Sequence, residues 1–229
     1  QEAYAEGMRL AQRAIDLDST RANAYAALGQ AEERWLFDWA RSEQHLRKAI
    51  ELESRNPEIQ VSLGLLLVHI GRAEEGLAAL RYARELDPLA PAPTMFWGFG
   101  LYLDRQYARS EEQLRETVAL DPTNAAARTF LATTLSEQGK HEEAIAEIRR
   151  AAEFEPFQFI PGLAALFYGR AGQPEMAAQM FGQLMERAED GYVAPDIIAW
   201  AHIGLGQYDD AMDWLEKAYD EREQGLIYL

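Results

Sequence analysis

A three-residue mark recurs along this chain at a constant interval of 34 residues. Leu86-Asp87-Pro88, Leu120-Asp121-Pro122 and Phe154-Glu155-Pro156 carry the mark, and Leu17-Asp18-Ser19 and Leu52-Glu53-Ser54 are earlier versions without proline. A fixed period of this length is typical of arrays in which one supersecondary unit is repeated and stacked. The pattern therefore predicts a repeat array.

Each unit between these marks is predicted to contain two helices. Apolar residues follow helical spacing on both sides of a break, and the break carries Gly71, Gly139, Gly172 or Gly206, with Arg105 in the corresponding place once. Glycine accepts the positive φ that ends a helix and begins a turn. The proline of each mark ends the second helix, because it lacks the N–H that would continue it. The chain is predicted to be all-α.

Small residues recur where the two helices of a hairpin are expected to touch. On the first helices they are Gly29, Gly64, Gly98, Ala132 and Ala199, and on the second helices Ser42, Gly76, Ser110, Ala144, Ala177 and Ala211. Large residues alternate with them along the seam, as in Leu28, Leu63, Trp97, Leu131, Leu46, Leu80, Leu114, Ile148, Phe181 and Leu215. This alternation suits interdigitated packing. Because one hairpin cannot bury all of its apolar faces, neighbouring hairpins are expected to stack.

These features together resemble the tetratricopeptide repeat (TPR) family. The resemblance implies an all-α TPR α-solenoid, a right-handed superhelix of antiparallel helix hairpins. A single solenoid is expected over residues 1–229, with a half repeat at 1–21, repeats at 22–56, 57–90, 91–124, 125–158, 159–191 and 192–225, and a truncated tail at 226–229. Such a resemblance is specific for fold and much less specific for function.

Two segments carry a narrower resemblance, to the C-terminal TPR arrays of bacterial signalling proteins. They are residues 35–40, Trp-Leu-Phe-Asp-Trp-Ala, in the repeat that is one residue longer, and residues 192–195 with 214–222 near the end. In that group the array follows a winged-helix, nucleotide cyclase, serine/threonine kinase or TolB-like segment. Since the chain begins without Met in mid-helix sequence and ends on an apolar tail, we expect a piece of such a longer protein.

Charge and composition narrow the partners. The formal charge is -16, which repels phosphate backbones and anionic lipid and attracts basic partners. Direct nucleic-acid binding is not expected, and the apolar run 61–70 is too short and too interrupted to insert into a membrane. The chain has no cysteine, which excludes disulfides and thiolate metal sites and fits a cytoplasmic location.

The residues offer no convincing constellation for chemistry. His45, His69, His141 and His202 are far apart and lack metal-ligand spacing, so neither a metal nor a cofactor is expected. The paired carboxylates at 32–33, 74–75, 111–112 and 142–143 are interpreted as solvated faces, because adjacent residues on a helix point about 100° apart. No catalytic residue is predicted, and the chain is not expected to be an enzyme.

The resemblance implies that the first helices line a concave groove that holds a protein or peptide. The residues expected to contact the partner are Val61, Leu65, His69, Met95, Phe99, Tyr102, Leu103 and Thr133. They are mainly apolar, whereas members that grip a C-terminal carboxylate place Lys, Arg and Asn there. We therefore expect a partner with apolar anchors and basic flanks rather than a chaperone tail.

Three alternatives remain open from the sequence. Val61 and Leu65 in particular suit packing against the next repeat, and His69 suits a half-exposed surface position. The array is alternatively a self-association module that brings two copies together, or a small-molecule sensor, although convergent polar groups for a ligand are missing. Trp35 and Trp39 are expected to fill the extra turn of the long repeat.

Overall fold

The structure, a computed structural model, describes residues 2–155, 157 and 159–223. Pro156 and the predicted tail 226–229 lie outside the described residues. Throughout the described ranges the regular elements are helices, which confirms the all-α prediction. The chain divides into two compact units, Gln1–Leu120 and Asp121–Leu229, and each is described by itself.

The first unit contains seven α-helices among its described residues. They are α1 (Glu2–Leu17), α2 (Ala22–Ala31), α3 (Trp39–Leu52), α4 (Pro57–His69), α5 (Ala73–Leu86), α6 (Pro91–Leu103) and α7 (Tyr107–Leu120). The pairs α2–α3, α4–α5 and α6–α7 form hairpins, and α3 packs on α4 as α5 packs on α6. Its core includes Leu46, Ile59, Leu66 and Leu67.

The second unit repeats the arrangement. Its described helices are α8 (Ala125–Glu137), α9 (His141–Phe154), α10 (Ile160–Arg170), α11 (Pro174–Asp190), α12 (Pro195–Gly204) and α13 (Tyr208–Glu221). The hairpins are α8–α9, α10–α11 and α12–α13. Leu184 is fully buried in its core, whereas Phe181 and Leu215, which the sequence placed in the seam, are only half-buried.

The turn inside each hairpin is the one that the glycine pattern predicts. Gly71, Gly139, Gly172 and Gly206 all have positive φ, and Arg105 takes the same conformation at φ 57°. Each turn satisfies the carbonyl groups at the helix end in the same way: Gly71 N donates to Val68 O at 3.0 Å, and the next amide donates to Leu67 O at 2.8 Å. This pair of bonds reverses the chain and starts the second helix.

The repeat that is one residue longer accommodates its extra residue in a π-helical turn, Glu32–Leu36, between α2 and α3. The turn ends at Phe37, which has a positive φ of 51°. Trp35 packs edge-on against Tyr4 of α1, with ring centroids 5.2 Å apart. Trp39 is about half exposed at the start of α3, so the expectation that it fills the turn is wrong.

Candidate functional site

The first helices of the three hairpins in the first unit present equivalent faces. On α4 the face follows Glu58, Ser62, Leu65 and His69, a spacing that aligns side chains along one side of a helix. The equivalent residues are Asn23, Ala27, Gln30 and Arg34 at the α2 end, and Ala92, Phe96, Phe99 and Leu103 on α6. We call these twelve residues, with the adjacent Val61, Met95 and Tyr102, the inner face.

Most of the predicted anchors form the floor of this face. Val61, Leu65, Met95 and Phe99 retain 5–8% of their surface, whereas Leu66 and Leu67 on the opposite side of α4 retain none. Packing within the unit therefore accounts for most of their surface, as the packing interpretation expects. Only a narrow strip of each is accessible from outside.

The remaining predicted residues lie at different places. His69, Tyr102 and Leu103 are half-buried at the C-terminal ends of α4 and α6. Thr133 belongs to α8 in the second unit, where its hydroxyl donates to Thr129 O at 2.9 Å. The structure thus brings seven of the eight predicted residues together in the first unit.

Aromatic rings concentrate on the α6 part of the inner face. The Phe99 and Tyr102 rings are stacked, with centroids 6.0 Å apart and planes at 12°, and Tyr107 lies 5.8 Å beyond Tyr102. Phe96 is half-buried on the same face, although the sequence analysis did not select it. Its place 34 residues after Ser62 is the feature that identifies it.

Polar contacts join α2 to α4 across the inner face. Gln30 Nε2 donates to Ser62 Oγ at 2.7 Å, and the Ser62 hydroxyl donates to Glu58 O at 2.9 Å. One turn further on, a Glu33 carboxylate oxygen lies 2.9 Å from His69 Nδ1. Because these groups bond one another, this end of the face is closed by intramolecular contacts.

Glu32 and Glu33 are buried, so their interpretation as a solvated pair is wrong. The π-helical turn directs both carboxylates inward, and each finds a histidine. Glu32 Oε2 lies 2.6 Å from His45 Nδ1, while its other oxygen lies 3.0 Å from an Arg41 nitrogen. A buried carboxylate needs such partners, because an unpaired charge in the interior is costly.

In the second unit the first helices α10 and α12 approach each other closely. A Cβ added to Gly169 would lie 1.8 Å from Gly204 O, and one added to Gly204 would lie 2.3 Å from Ala165 O. At the end of α10, Arg170 Nη1 donates to Ser136 Oγ at 3.1 Å and to Glu137 Oε1 at 2.6 Å, joining α10 to α8. The backbones of α10 and α12 thus leave no room for a partner between these two described helices.

A buried carboxylate lies at the start of α12. Asp196 is 3% exposed and its Oδ1 has no hydrogen-bond partner among the described residues. Burial raises the pKa of Asp196 to about 6, and the charge of Glu223 raises it further, against the backbone amides that lower it. The Tyr192 hydroxyl lies 3.0 Å from Glu221 Oε2 and also contacts a Glu223 carboxylate oxygen. The sequence analysis did not identify this group.

The described part of the chain lacks both a metal-binding cluster and a membrane-spanning helix. Over residues 2–155, 157 and 159–223, His, Asp and Glu do not gather in threes in a way that would hold a metal ion. Within the same ranges, no helix is long and apolar enough to cross a membrane.

Comparison with known families gives a consistent result. Three family models, each described as tetratricopeptide repeat, match residues 38–91, 101–160 and 197–226. Among solved structures, TTC0263, a thermophilic TPR protein in Thermus thermophilus, is similar with a TM-score of 0.70 at 16% identity, covering 81% of this chain and 99% of that one. This likeness shows the fold, a TPR α-solenoid.

Two curated bacterial proteins are similar in sequence. The cytochrome c-type biogenesis protein CycH of Rhizobium meliloti is 31% identical over 125 residues, which cover 51% of this chain and 30% of CycH. The transcriptional regulator HilA of Salmonella typhimurium is 21% identical over 203 residues, which cover 84% of this chain and 37% of HilA. The chain therefore matches less than half the length of either relative.

Proposed function

This chain is a tetratricopeptide-repeat protein, and from that premise we propose that it is a non-catalytic scaffold that binds a partner protein or peptide on the inner face of its first unit. TPR hairpins create extended binding surfaces because each repeat buries one side against its neighbours and leaves the other available. The stacked pair of Phe99 and Tyr102 is the observation that carries the proposal.

The α6 part of the inner face has the make-up of a docking surface. Phe99 forms an apolar floor, and Phe96, Tyr102 and Leu103 are half-buried around it. Aromatic residues with a polar tip are enriched at the centres of protein interfaces. The α2 part is occupied by its own hydrogen bonds, so we place the partner's apolar anchors over α6 and the adjacent Leu65.

Charge supports the chemistry of the partner. Glu58 is exposed at the start of α4, and the whole chain carries a formal charge of -16. A segment with apolar anchors and Lys or Arg on its flanks therefore fits best. We further infer a regulatory role within a longer bacterial protein, in the cytoplasm. Similarity to the transcriptional regulator HilA supports the role, and the absence of cysteine supports the location.

The test is capture of partners from a lysate of the source cells on immobilised chain. Tyr102→Ala and Leu103→Asp are expected to remove the captured partner, because they take away the rim of the aromatic floor. Tyr82→Ala is the matched control, since Tyr82 is also half-buried but lies on the second helix α5. Thermal melts establish that all variants fold. Equal capture by folded Tyr102→Ala and Leu103→Asp would remove the inner face from the proposal.

A further inference from the structure

The last described helix, α13, exposes a stripe of large apolar side chains. Tyr208, Met212 and Tyr219 are 69%, 57% and 70% exposed, and Leu215 is half-buried between them. Their spacing puts all four on one side of the helix. We call these four residues the α13 stripe. An apolar face of this kind on a surface helix marks an interaction site.

The repeat explains what such a face is shaped to do. Gly76 of α5 and Ala211 of α13 occupy the same buried hairpin position, so Met212, Leu215 and Tyr219 correspond to Leu77, Leu80 and Arg84. The α13 stripe is thus the equivalent of a known face on α5.

On α5 that face is covered by the next helix, α6. A Cβ added to Gly100 of α6 would lie 2.3 Å from Leu80 Cδ1 and 3.4 Å from Leu77 Cδ2, so the glycine admits both leucines. The Arg84 guanidinium lies over the Trp97 ring, 5.2 Å from its centroid. Leu80 is fully buried as a result, whereas Leu215 at the same position is not. The α13 stripe is a helix-stacking face that no described helix covers.

Charge selects the occupant. The exposed residues that flank the stripe are almost all acidic, namely Asp209, Asp213, Glu216 and Asp220, while Lys217 is directed over the Trp214 ring at 4.6 Å. Two α13 stripes brought together would place these carboxylates against each other, which disfavours a second copy of this chain. A helix with basic edges gains from the same carboxylates.

We propose that the α13 stripe binds an amphipathic helix of a partner protein, with Gly or Ala where Leu215 inserts and Lys or Arg along its edges. The helix lies on α13 as α6 lies on α5, so recognition is a helix-on-helix contact with an electrostatic rim. This surface is on a second helix of the second unit and is independent of the inner face of the first unit.

The test uses a designed helical peptide as the probe. The peptide carries apolar residues at the spacing of α6, a central glycine and lysine edges, and a second peptide has glutamate in place of each lysine. We expect the lysine peptide to bind saturably in fluorescence anisotropy, to weaken with added salt, and the glutamate peptide not to bind.

Matched variants separate stripe binding from simple charge attraction. Met212→Glu is expected to weaken the lysine peptide by about tenfold or more, as loss of one apolar anchor does. Leu89→Glu, at an 81% exposed residue between α5 and α6, adds the same charge and is expected to change nothing. Since Met212→Glu makes the chain more acidic, its loss of binding cannot arise from weaker attraction, and circular dichroism shows that both variants fold.

Three outcomes would overturn the proposal. The first is a lysine peptide that does not bind the unaltered chain. The second is a lysine peptide that binds Met212→Glu as tightly as the unaltered chain. The third is self-association of the chain in sedimentation that Met212→Glu abolishes, because the occupant would then be a second copy.

Discussion

Arg128 and Glu147 form a buried ion pair inside the α8–α9 hairpin, with Arg128 Nη1 2.5 Å from Glu147 Oε2. The other guanidinium nitrogens, Nε and Nη2, donate to Pro122 O at 2.9 and 2.7 Å. One side chain therefore anchors the turn before α8 and neutralises a carboxylate on α9. Breaking a pair of this kind leaves an uncompensated buried charge.

We predict that Arg128→Met lowers the free energy of unfolding by about 3 kcal/mol, since Glu147 would lose its buried partner. Urea titration measures the change. Arg149→Met, at an exposed position on α9, is the control and is expected to stay within about 0.5 kcal/mol of the unaltered chain. Similar values for the two variants would show that the pair contributes little.

Alanine at Gly169 is predicted to destabilise the chain by about 3 kcal/mol or more, because the added Cβ meets the backbone of Gly204, which cannot rotate away. Gly182→Ala is the matched control within the neighbouring α11. No atom lies within 4 Å of its added Cβ, so alanine is expected to stabilise that helix by up to about 1 kcal/mol. Thermal melts of both variants measure the contrast, and a Gly169→Ala variant as stable as the unaltered chain would contradict it.

The stability of the second unit is predicted to fall as pH rises from about 4 to about 6. In the unfolded chain Asp196 ionises near the ordinary aspartate pKa of 3.8, whereas in the folded chain its pKa is about 6. Between these values the folded state holds the extra proton, so raising the pH removes stability, by about 3 kcal/mol in all.

Asp196→Asn checks that prediction. The variant is expected to be more stable than the unaltered chain above pH 6 and no more stable near pH 4, because the amide carries no charge to desolvate. The comparison is a series of melts across pH. Asp213→Asn removes the same charge from an exposed position and is the control. A gain for Asp196→Asn that persists unchanged at about pH 4 would contradict the assignment.

Arg105→Gly is predicted to stabilise the chain by about 0.5–1 kcal/mol. Arg105 has a φ of 57°, where a side chain is strained, and glycine relieves the strain at some cost in unfolded-state entropy. The reciprocal change, Gly139→Ala, is expected to destabilise by a similar amount, since Gly139 has a φ of 75°. Denaturant titration of both should give opposite signs.

Much of the fold follows from the sequence because the repeat states each rule several times. The turns at Gly71 and Gly139 obey one local rule, and the register then identifies Arg105 as their equivalent. Gly64 shows the same for the seam, where an added Cβ would lie 2.6 Å from Leu80 Cγ. Local chemistry and period agree at these positions, so each supports the other.

The candidate site was less accessible from the sequence, because its decisive contacts are not local. Glu32 and Glu33 are charged and adjacent, which favours solvent, yet each meets a histidine 13 or 36 residues away. The deep burial of Phe99 likewise depends on neighbouring helices rather than on its own. Pattern assigns a side of a helix, whereas only the packed structure shows how much of that side remains accessible.

The π-helical turn at Glu32–Leu36 has a consequence for how this array can change in length. One added residue in an α-helix would rotate every later side chain by about 100° and turn buried residues outward. Here the widened turn takes up the surplus within a single loop of backbone, so α3 and the helices after it keep their phase. A repeat array with such a turn is able to gain or lose one residue without losing the packing of its neighbours.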